Sequence, residues 1–587
     1  MLRTRAWTPW LWIGAVYLLL IALSWKRWAN PIVDCGREMY VPWQIAEGKM
    51  LYRDLFFLYG PLVPYLHALL FKVFGIHLHV LYAVGLGLVA VQTTLVFVIA
   101  RRVLEPAVAI LAGVMFLIQF AIRPTLGNLV FPYSFNAAYA SALNLAALWL
   151  VLRHREGRPG QPLSLAGVCV GLSLLSKPEL GLAALAFLVC YLAFRRPGLL
   201  PFLFCLLPSL LFPLTGYGYF AMQLGAGTLI GEYLWPRDVL AEMRLFHQIS
   251  VGTLFEPMAI VYLAGLILVT AGGFAAVGVV AYQLRCRFNA ILSNLWIVAV
   301  PLVLLATPWS DRFVRFLELN HIHAGNLVFL LCALIFLVRK RGRHDVPHSS
   351  LFWIALFALL TTWRAPFFAG ISGYSAFFMA ASVIVFLWVW CEWVPTAWAV
   401  ERSRWQSCIY SALLCLSALL LARHFTHFRT ALTYPLSTPR GELVVHRDIG
   451  EPLTKAVAFL QANTEPGEPV LFFPEETSLY FLGDRRSPSK YYQFAPGLLS
   501  PERKELELIR AADAAKVRYV FVSNRATTEY GKPYFGVDYY PRLREWIVAN
   551  FRLRETVGES ERPTLPPPPS RYWPSEGYGI DVYERKN

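Results

Sequence analysis

Residues 79–102 read HVLYAVGLGLVAVQTTLVFVIARR, an uncharged and largely apolar run that stops at two arginines. A helix needs about twenty such residues to cross the hydrocarbon core of a bilayer. The same unit recurs outward in both directions. Apolar runs fall at 10–28, 79–100, 106–122, 133–152, 163–176, 180–194, 199–221, 257–284, 289–308, 325–338, 351–366, 373–392 and 407–422. The chain of 587 residues is 57% hydrophobic and 15% charged, where a soluble domain is nearer a quarter charged. A mean hydropathy of +0.49 over this length cannot come from one buried core. The sequence therefore predicts a polytopic α-helical membrane protein with about thirteen transmembrane helices.

The net charge of +16 is read in that setting as cytoplasmic loops and not as a nucleic-acid surface, because Lys and Arg collect on the inner side. Clusters at Arg3/Arg5, Arg101/Arg102, Arg153–Arg158, Arg195/Arg196, Arg285/Arg287, Arg339–Arg343 and Arg402/Arg404 punctuate the runs. Placing all of them inside makes the loops between them external, with a cytoplasmic N-terminus and an extracytoplasmic C-terminus. Lys26 and Arg27, just after the first run, dissent from that alternation. The N-terminal basic and apolar segment lacks a small-x-small cleavage site before Pro31, so it reads as a retained anchor. Eight of the nine cysteines lie in or beside apolar runs, where a thiol is a small hydrophobe. Cys35 falls in a loop read as water-exposed.

Composition changes after Ala422. From 441 onward helical segments (453–462, 502–515, 541–550) alternate with strand-like ones (469–473, 518–522), which predicts a C-terminal soluble α/β domain with a parallel sheet. The division falls near 425, with 1–425 as the membrane module and 426–587 as the appended domain. The tail 563–570, PTLPPPPS, is proline-rich and extended.

The long loop at 29–78 holds the sharpest local feature. It opens VDCGREMYVPW at 33–43 and continues through AEGKMLYRD at 46–54 to YGPL at 59–62. An acidic residue stands a few positions beyond the first membrane exit. Two short helices at 38–48 and 62–75 follow it and read as lying on the membrane surface. This layout resembles the GT-C superfamily of integral-membrane glycosyltransferases, which includes protein mannosyltransferases and lipopolysaccharide core transferases. The resemblance implies a GT-C-like fold, an acidic catalytic residue in the first external loop and a polyprenyl-phosphate-linked sugar donor. It also implies an envelope glycan, lipid or protein as acceptor, at the outer face of a bacterial inner membrane. The stretch 58–61 departs from the lysine-proline pair some relatives carry, and the loop 123–133 lacks a second acid. Those departures speak against a metal bridged by two carboxylates, and no cofactor is expected.

Transfer from a lipid phosphate to a hydroxyl needs a base for the attacking proton and cations for the departing phosphate. Asp34 is the expected base, against the plain alternative of a helix N-cap. Glu38 and Asp54 are further catalytic candidates; pairing with Arg37 and with Arg53 are their structural alternatives. Arg37, Lys177, Glu179, Arg364 and Tyr374 are candidates for substrate binding. Lys177 with Glu179 could equally be a simple ion pair, and Arg364 could snorkel to headgroups. Arg237, Arg244, Arg312 and Arg315 read as loop charges. The pairs His77/His79 and His321/His323 do not share a helix face at their spacing, so no metal site is expected. In the C-terminal part, Glu475, Glu476, Tyr480, Asp484–Arg486 and Lys490–Tyr492 offer the charge and aromatic mixture that suits carbohydrate, or ordinary surface chemistry. The competing classes are a transporter or flippase, which would show paired halves, and a non-enzymatic polysaccharide export subunit.

Overall fold

The structure is a computed structural model that describes residues 8–124, 127–154, 161–246, 257–308, 349–362, 377, 380–558 and 577–586. It is mostly helical. The membrane part comprises α1 (Thr8–Ser24), α2 (Cys35–Ala46), α3 (Leu62–Phe74), α4 (Leu78–Ala100), α5 (Pro106–Phe116) and α6 (Phe135–His154). There follow α7 (Gln161–Ser176), α8 (Pro178–Arg195), α9 (Leu199–Leu224), α10 (Pro257–Arg287), α11 (Ala290–Leu305), α12 (Ser350–Thr361), α13 (Ala380–Trp388) and α14 (Arg402–Thr430). Among the described residues six helices are long and apolar enough to cross a membrane: α4, α6, α8, α9, the continuous helix Ala380–Ala397, and α14. Helices stand at every position read as a crossing except 325–338, which lies outside the described residues.

α2 and α3 are the two short helices of the first long loop. α3 is amphipathic. It buries Val63, Pro64, His67, Ala68 and Phe71 and leaves Leu69, Val73 and Phe74 exposed, an apolar outer face suited to the headgroup boundary. α2 departs from expectation. Every residue from Cys35 to Ile45 is buried, Cys35 included, so neither the helix nor that thiol lies on a wet surface.

What covers α2 is the C-terminal part of the chain. A hairpin of β1 (Leu432–Thr438) and β2 (Gly441–His446) packs on the exit of α1; there the Val444 N–H donates to the Lys26 carbonyl at 2.8 Å. Helices α15 (Arg447–Asn463), α16 (Ser478–Gly483), α17 (Arg503–Ala514) and α18 (Pro541–Asn550) surround a sheet of β3 (Leu471–Phe473), β4 (Tyr519–Ser523), β5 (Phe551–Gly558) and β6 (Gly579–Arg585). The strand order is β3-β4-β6-β5. Among the described strands β3 and β4 pair in parallel, while β6 runs antiparallel to both β4 and β5. The sheet is therefore mixed, not parallel. The expectation missed β5 and β6, because β5 exposes most of its side chains and carries no apolar run. The tail 563–570 lies outside the described residues.

The residues singled out there for carbohydrate contact are largely used internally. Glu475 and Glu476 are each 1% exposed. Arg525 pairs with Glu475, while Glu476 accepts from the Ser523 hydroxyl at 2.6 Å and the Tyr578 hydroxyl at 3.0 Å. The Arg485 guanidinium donates to the carbonyls of Leu460 and Thr464 at 2.8 Å each, satisfying the open C-terminal end of α15. Asp484 pairs with Arg440, and Arg486 with Glu47.

The docking of this part onto α2 is close. A Cβ built on Gly36 would stand 2.3 Å from the Ser478 backbone nitrogen and 2.7 Å from the Thr477 carbonyl carbon, so only glycine lets α16 approach. Tyr40 lies 5.0 Å from the rings of both Tyr480 and Tyr492, and its hydroxyl accepts from the Ser487 N–H at 3.0 Å. Farther along the membrane face, Arg503 pairs with Glu232 at 3.3 Å and Phe246 stacks on Tyr530 at 4.8 Å.

Gly36→Val should cost about 1–3 kcal/mol, the usual range for overpacking, and should open the 474–490 segment to protease; limited proteolysis and thermal unfolding of the purified chain measure both. Burial pushes the Glu476 carboxyl up to about 7, against the hydrogen bonds that oppose it. A raised carboxyl contributes stability that is complete below its unfolded value near 4.5 and lost as pH rises through about 7. Glu476→Gln should therefore flatten the dependence of Tm on pH across that window and leave the variant more stable than the native chain above it.

Candidate functional site

Asp34 stands where α2 begins, at the N-cap position, but its side chain makes no capping bond. Its Oδ1 instead accepts from Arg37 Nη1 at 3.0 Å, one turn on. The Arg37 guanidinium is buried and fully engaged in orientation. Nε donates to Glu38 Oε1 at 3.2 Å, Nη2 donates to the Tyr133 carbonyl at 2.6 Å, and the group lies 4.7 Å from the centre of the Tyr59 ring. Glu38 is bonded at both oxygens, since Oε2 accepts from the Phe135 N–H at 3.0 Å. That bond satisfies an open donor at the start of α6. Burial holds the Glu38 carboxyl above its ordinary value, opposed by Arg37 and the Phe135 N–H. Glu38 thus acts as a brace between α2 and α6, whereas Asp34 keeps an oxygen, Oδ2, with no protein partner among the described residues.

Lys177 arrives from the break between α7 and α8. Pro178 opens α8 at a position that needs no N–H. The Lys177 ammonium donates to the Tyr133 hydroxyl at 3.0 Å and pairs with Glu179 at 3.4 Å. It also lies 4.5 Å from the Tyr59 ring centre. Two cations from distant parts of the chain therefore share one aromatic ring. The loop is clamped to make this possible. The Gly60 N–H donates to the Ser176 carbonyl at 3.0 Å, and Asn136 Nδ2 donates to the carbonyls of both Gly60 and Ser176 at 2.8 Å. A Cβ on Gly60 would meet the Leu175 carbonyl oxygen at 2.1 Å. Lys177 is thus held beside Tyr59 by the contact between Ser176 and Gly60.

Of the residues read from sequence, the structure gathers Asp34, Arg37, Glu38, Lys177 and Glu179 around Tyr59 and Tyr133. It does not bring Asp54 to them. Asp54 closes a tight turn, accepting from the Met50 N–H at 2.8 Å and from two Arg53 nitrogens at 2.8 Å each. The Arg53 hydrogen bond holds its carboxyl below the ordinary value. Arg364 and Tyr374, and with them Arg312, Arg315, His321 and His323, lie outside the described residues. Tyr59 and Tyr133 were not singled out beforehand. Their signal was present in tyrosines beside Gly60-Pro61 and Pro132, next to the motif already quoted. Among the described residues no group of three or more His, Cys, Asp or Glu could hold a metal ion.

No curated protein matches the sequence. Among solved structures, the apo oligosaccharyltransferase of Archaeoglobus fulgidus is similar at 13% identity and a TM-score of 0.49, covering 89% of this chain and 70% of that one. ArnT from Cupriavidus metallidurans bound to undecaprenyl phosphate is similar at 12% identity and a TM-score of 0.47, covering 98% of each chain.

The ring of Tyr59 faces both cations, so its π surface and not its hydroxyl is the contact. Tyr59→Phe should leave thermal stability near native, whereas Tyr59→Ala should lose about 3 kcal/mol through lost packing and lost cation–π contacts; thermal unfolding of the two purified variants compares them. Tyr59 is also the first residue of a segment, 59–212, that matches the family model for dolichyl-phosphate-mannose-protein mannosyltransferases. That segment, about a quarter of the chain, supplies Tyr59, Tyr133, Lys177 and Glu179 to the site.

Proposed function

We propose that the chain is an inverting glycosyltransferase that moves a sugar from a polyprenyl phosphate to a hydroxyl of an envelope glycan, lipid or protein. The observation that carries this reading is the half-open carboxylate of Asp34. One oxygen is held by Arg37, the other is unpartnered among the described residues, and the group stands beside the exit of α1. A donor phosphate anchored by its lipid tail is confined to that depth. The family model over 59–212 is named for a polyprenyl-phosphate sugar donor, which supports the same class of substrate.

In the proposed reaction Asp34 Oδ2 takes the proton of the acceptor hydroxyl as its oxygen bonds to the anomeric carbon. The bond from that carbon to the phosphate oxygen breaks on the opposite face, and its electron pair leaves with the phosphate. Attack opposite the leaving group inverts the anomeric centre. Arg37 and Lys177 are the positive charges nearest Asp34 in this cluster. Lys177, held by Tyr133 and Glu179, would bear on the phosphate as its charge grows. Arg37 would keep Asp34 aimed, with Glu38 keeping Arg37 aimed. The reading places the site on the outer face of a bacterial inner membrane, with the residues from 426 onward folded on the same side as a domain covering α2.

Asp34→Asn keeps the shape and removes the base. The variant should insert and fold as native yet transfer sugar at least about 10²-fold more slowly, the lower end of what a positioned base supplies. Mass spectrometry of surface glycans and lipid-linked sugars in cells carrying only the variant reads this directly. A missing sugar residue with its lipid donor accumulating is expected, and an unchanged surface glycan refutes the assignment.

A further inference from the structure

The two cations that dissent from the positive-inside alternation, Lys26 and Arg27, do not stand alone. The Arg27 guanidinium donates to the Leu432 carbonyl at 3.0 Å and to the Trp25 carbonyl at 3.2 Å, which brings it to the end of α14. The last turn of α14 carries His427 and Arg429. His424, one turn earlier, is buried with Nε2 3.0 Å from the Ile118 carbonyl. His427 lies within Coulomb reach of Arg423 and of His446 on β2. Burial, and then repulsion from Arg429, hold the Arg27 guanidinium below its ordinary value. Like charges from α1 and α14 are therefore folded against one another beside the β1–β2 hairpin.

The carboxylates beside this patch already have partners: Glu442 takes Lys26 at 2.9 Å and Asp448 takes His446 at 3.4 Å. Arg27 and Arg429 are left without a carboxylate among the described residues. Cations at the C-terminal end of a helix suit its dipole, but that does not account for Arg27, which α1 brings to the same place. Exposed aromatics flank them. Trp25 is 43% exposed and Phe425 39%, and Arg429 lies 5.5 Å from the Phe425 ring centre. Aromatic rings at the ends of apolar helices sit at headgroup level, so the patch faces lipid headgroups and not bulk water. It shares no partner with the Asp34 cluster and lies on the same membrane face, since α1 delivers both.

We propose that this patch, formed by Arg27 and Arg429 where α1 meets the end of α14 beside the β1–β2 hairpin, binds the phosphate headgroup of an anionic membrane lipid. A guanidinium pair offers forked donors to phosphate oxygens, and the lipid supplies the missing counter-charge. The proposal does not depend on the transfer activity.

The test uses the full chain reconstituted in discs of equal phosphatidylglycerol and phosphatidylcholine, with retained lipids counted by native mass spectrometry after detergent release. The native chain and Asp34→Asn should both retain phosphatidylglycerol in preference. The double variant Arg27→Gln/Arg429→Gln should retain about tenfold less, in keeping with the attraction of basic side chains to anionic lipid, with phosphatidylcholine unchanged. Arg27→Lys/Arg429→Lys should keep most of the preference. An intact preference in the glutamine variant overturns the proposal, as does displacement of the lipid by millimolar inorganic phosphate, which would make the site one for a free anion. Should the glutamine variant fail to fold, the native chain decides alone: no preference for phosphatidylglycerol overturns the assignment.

Discussion

A buried guanidinium that cannot lose its proton sets the terms for everything around it. Arg37 is 7% exposed, and an unpaired charge at that depth would be untenable. The chain answers with two carboxylates from the same helix, a carbonyl at Tyr133 and the face of Tyr59. Each answer fixes a separate element: the start of α2, the start of α6 and the clamped loop at 59–61. Lys177 extends the same arrangement to the break between α7 and α8. The site is thus a knot of mutually satisfied charges with one carboxylate oxygen left over.

The second constraint is the cover on α2. Gly36 admits the backbone of α16, Tyr40 joins two tyrosines from the C-terminal part, and Trp43 lies 3.7 Å from the Arg440 guanidinium carbon. A helix expected on a membrane surface is in fact sandwiched between membrane helices and folded C-terminal elements. This leaves Asp34 at the rim of that contact, where its side chain is still 17% exposed. Rigidity in α2 follows from contacts made far along the sequence, and it keeps the carboxylate within reach of the cations without needing a capping bond.

Much of this was legible in the sequence, for definite reasons. Apolar runs and charge clusters report lipid directly, so helices stand where the runs do. Asp34, Arg37 and Glu38 could be picked out because they follow a membrane exit, and Lys177 with Glu179 because two charges at a membrane-depth turn demand partners. Their convergence was not legible. Nothing in local spacing says that Ser176 clamps Gly60, which is a consequence of a close backbone approach between distant segments. Asp54 misled because an acid in a loop looks alike whether it faces a substrate or closes a turn; Arg53 beside it was the sign of the latter. The strands β5 and β6 escaped because edge and mixed strands need not carry apolar runs. Cys35 escaped because its sulfur packs against the Phe131 carbonyl at 3.9 Å, on a segment that no window around residue 35 contains.

The hydrogen bond from the Ser478 hydroxyl to the Pro31 carbonyl joins residues 447 positions apart, and it has a bearing on biosynthesis. At ~5–20 residues per second, a ribosome needs roughly 20 to 90 s after making Pro31 before it reaches Ser478. For that interval α2, with Tyr40 and Trp43, has been translated but has no lid. The nascent chain must hold an uncovered apolar helix near the membrane surface until almost all of it has been made, so translation order makes closure of the first loop one of the last folding events rather than the first.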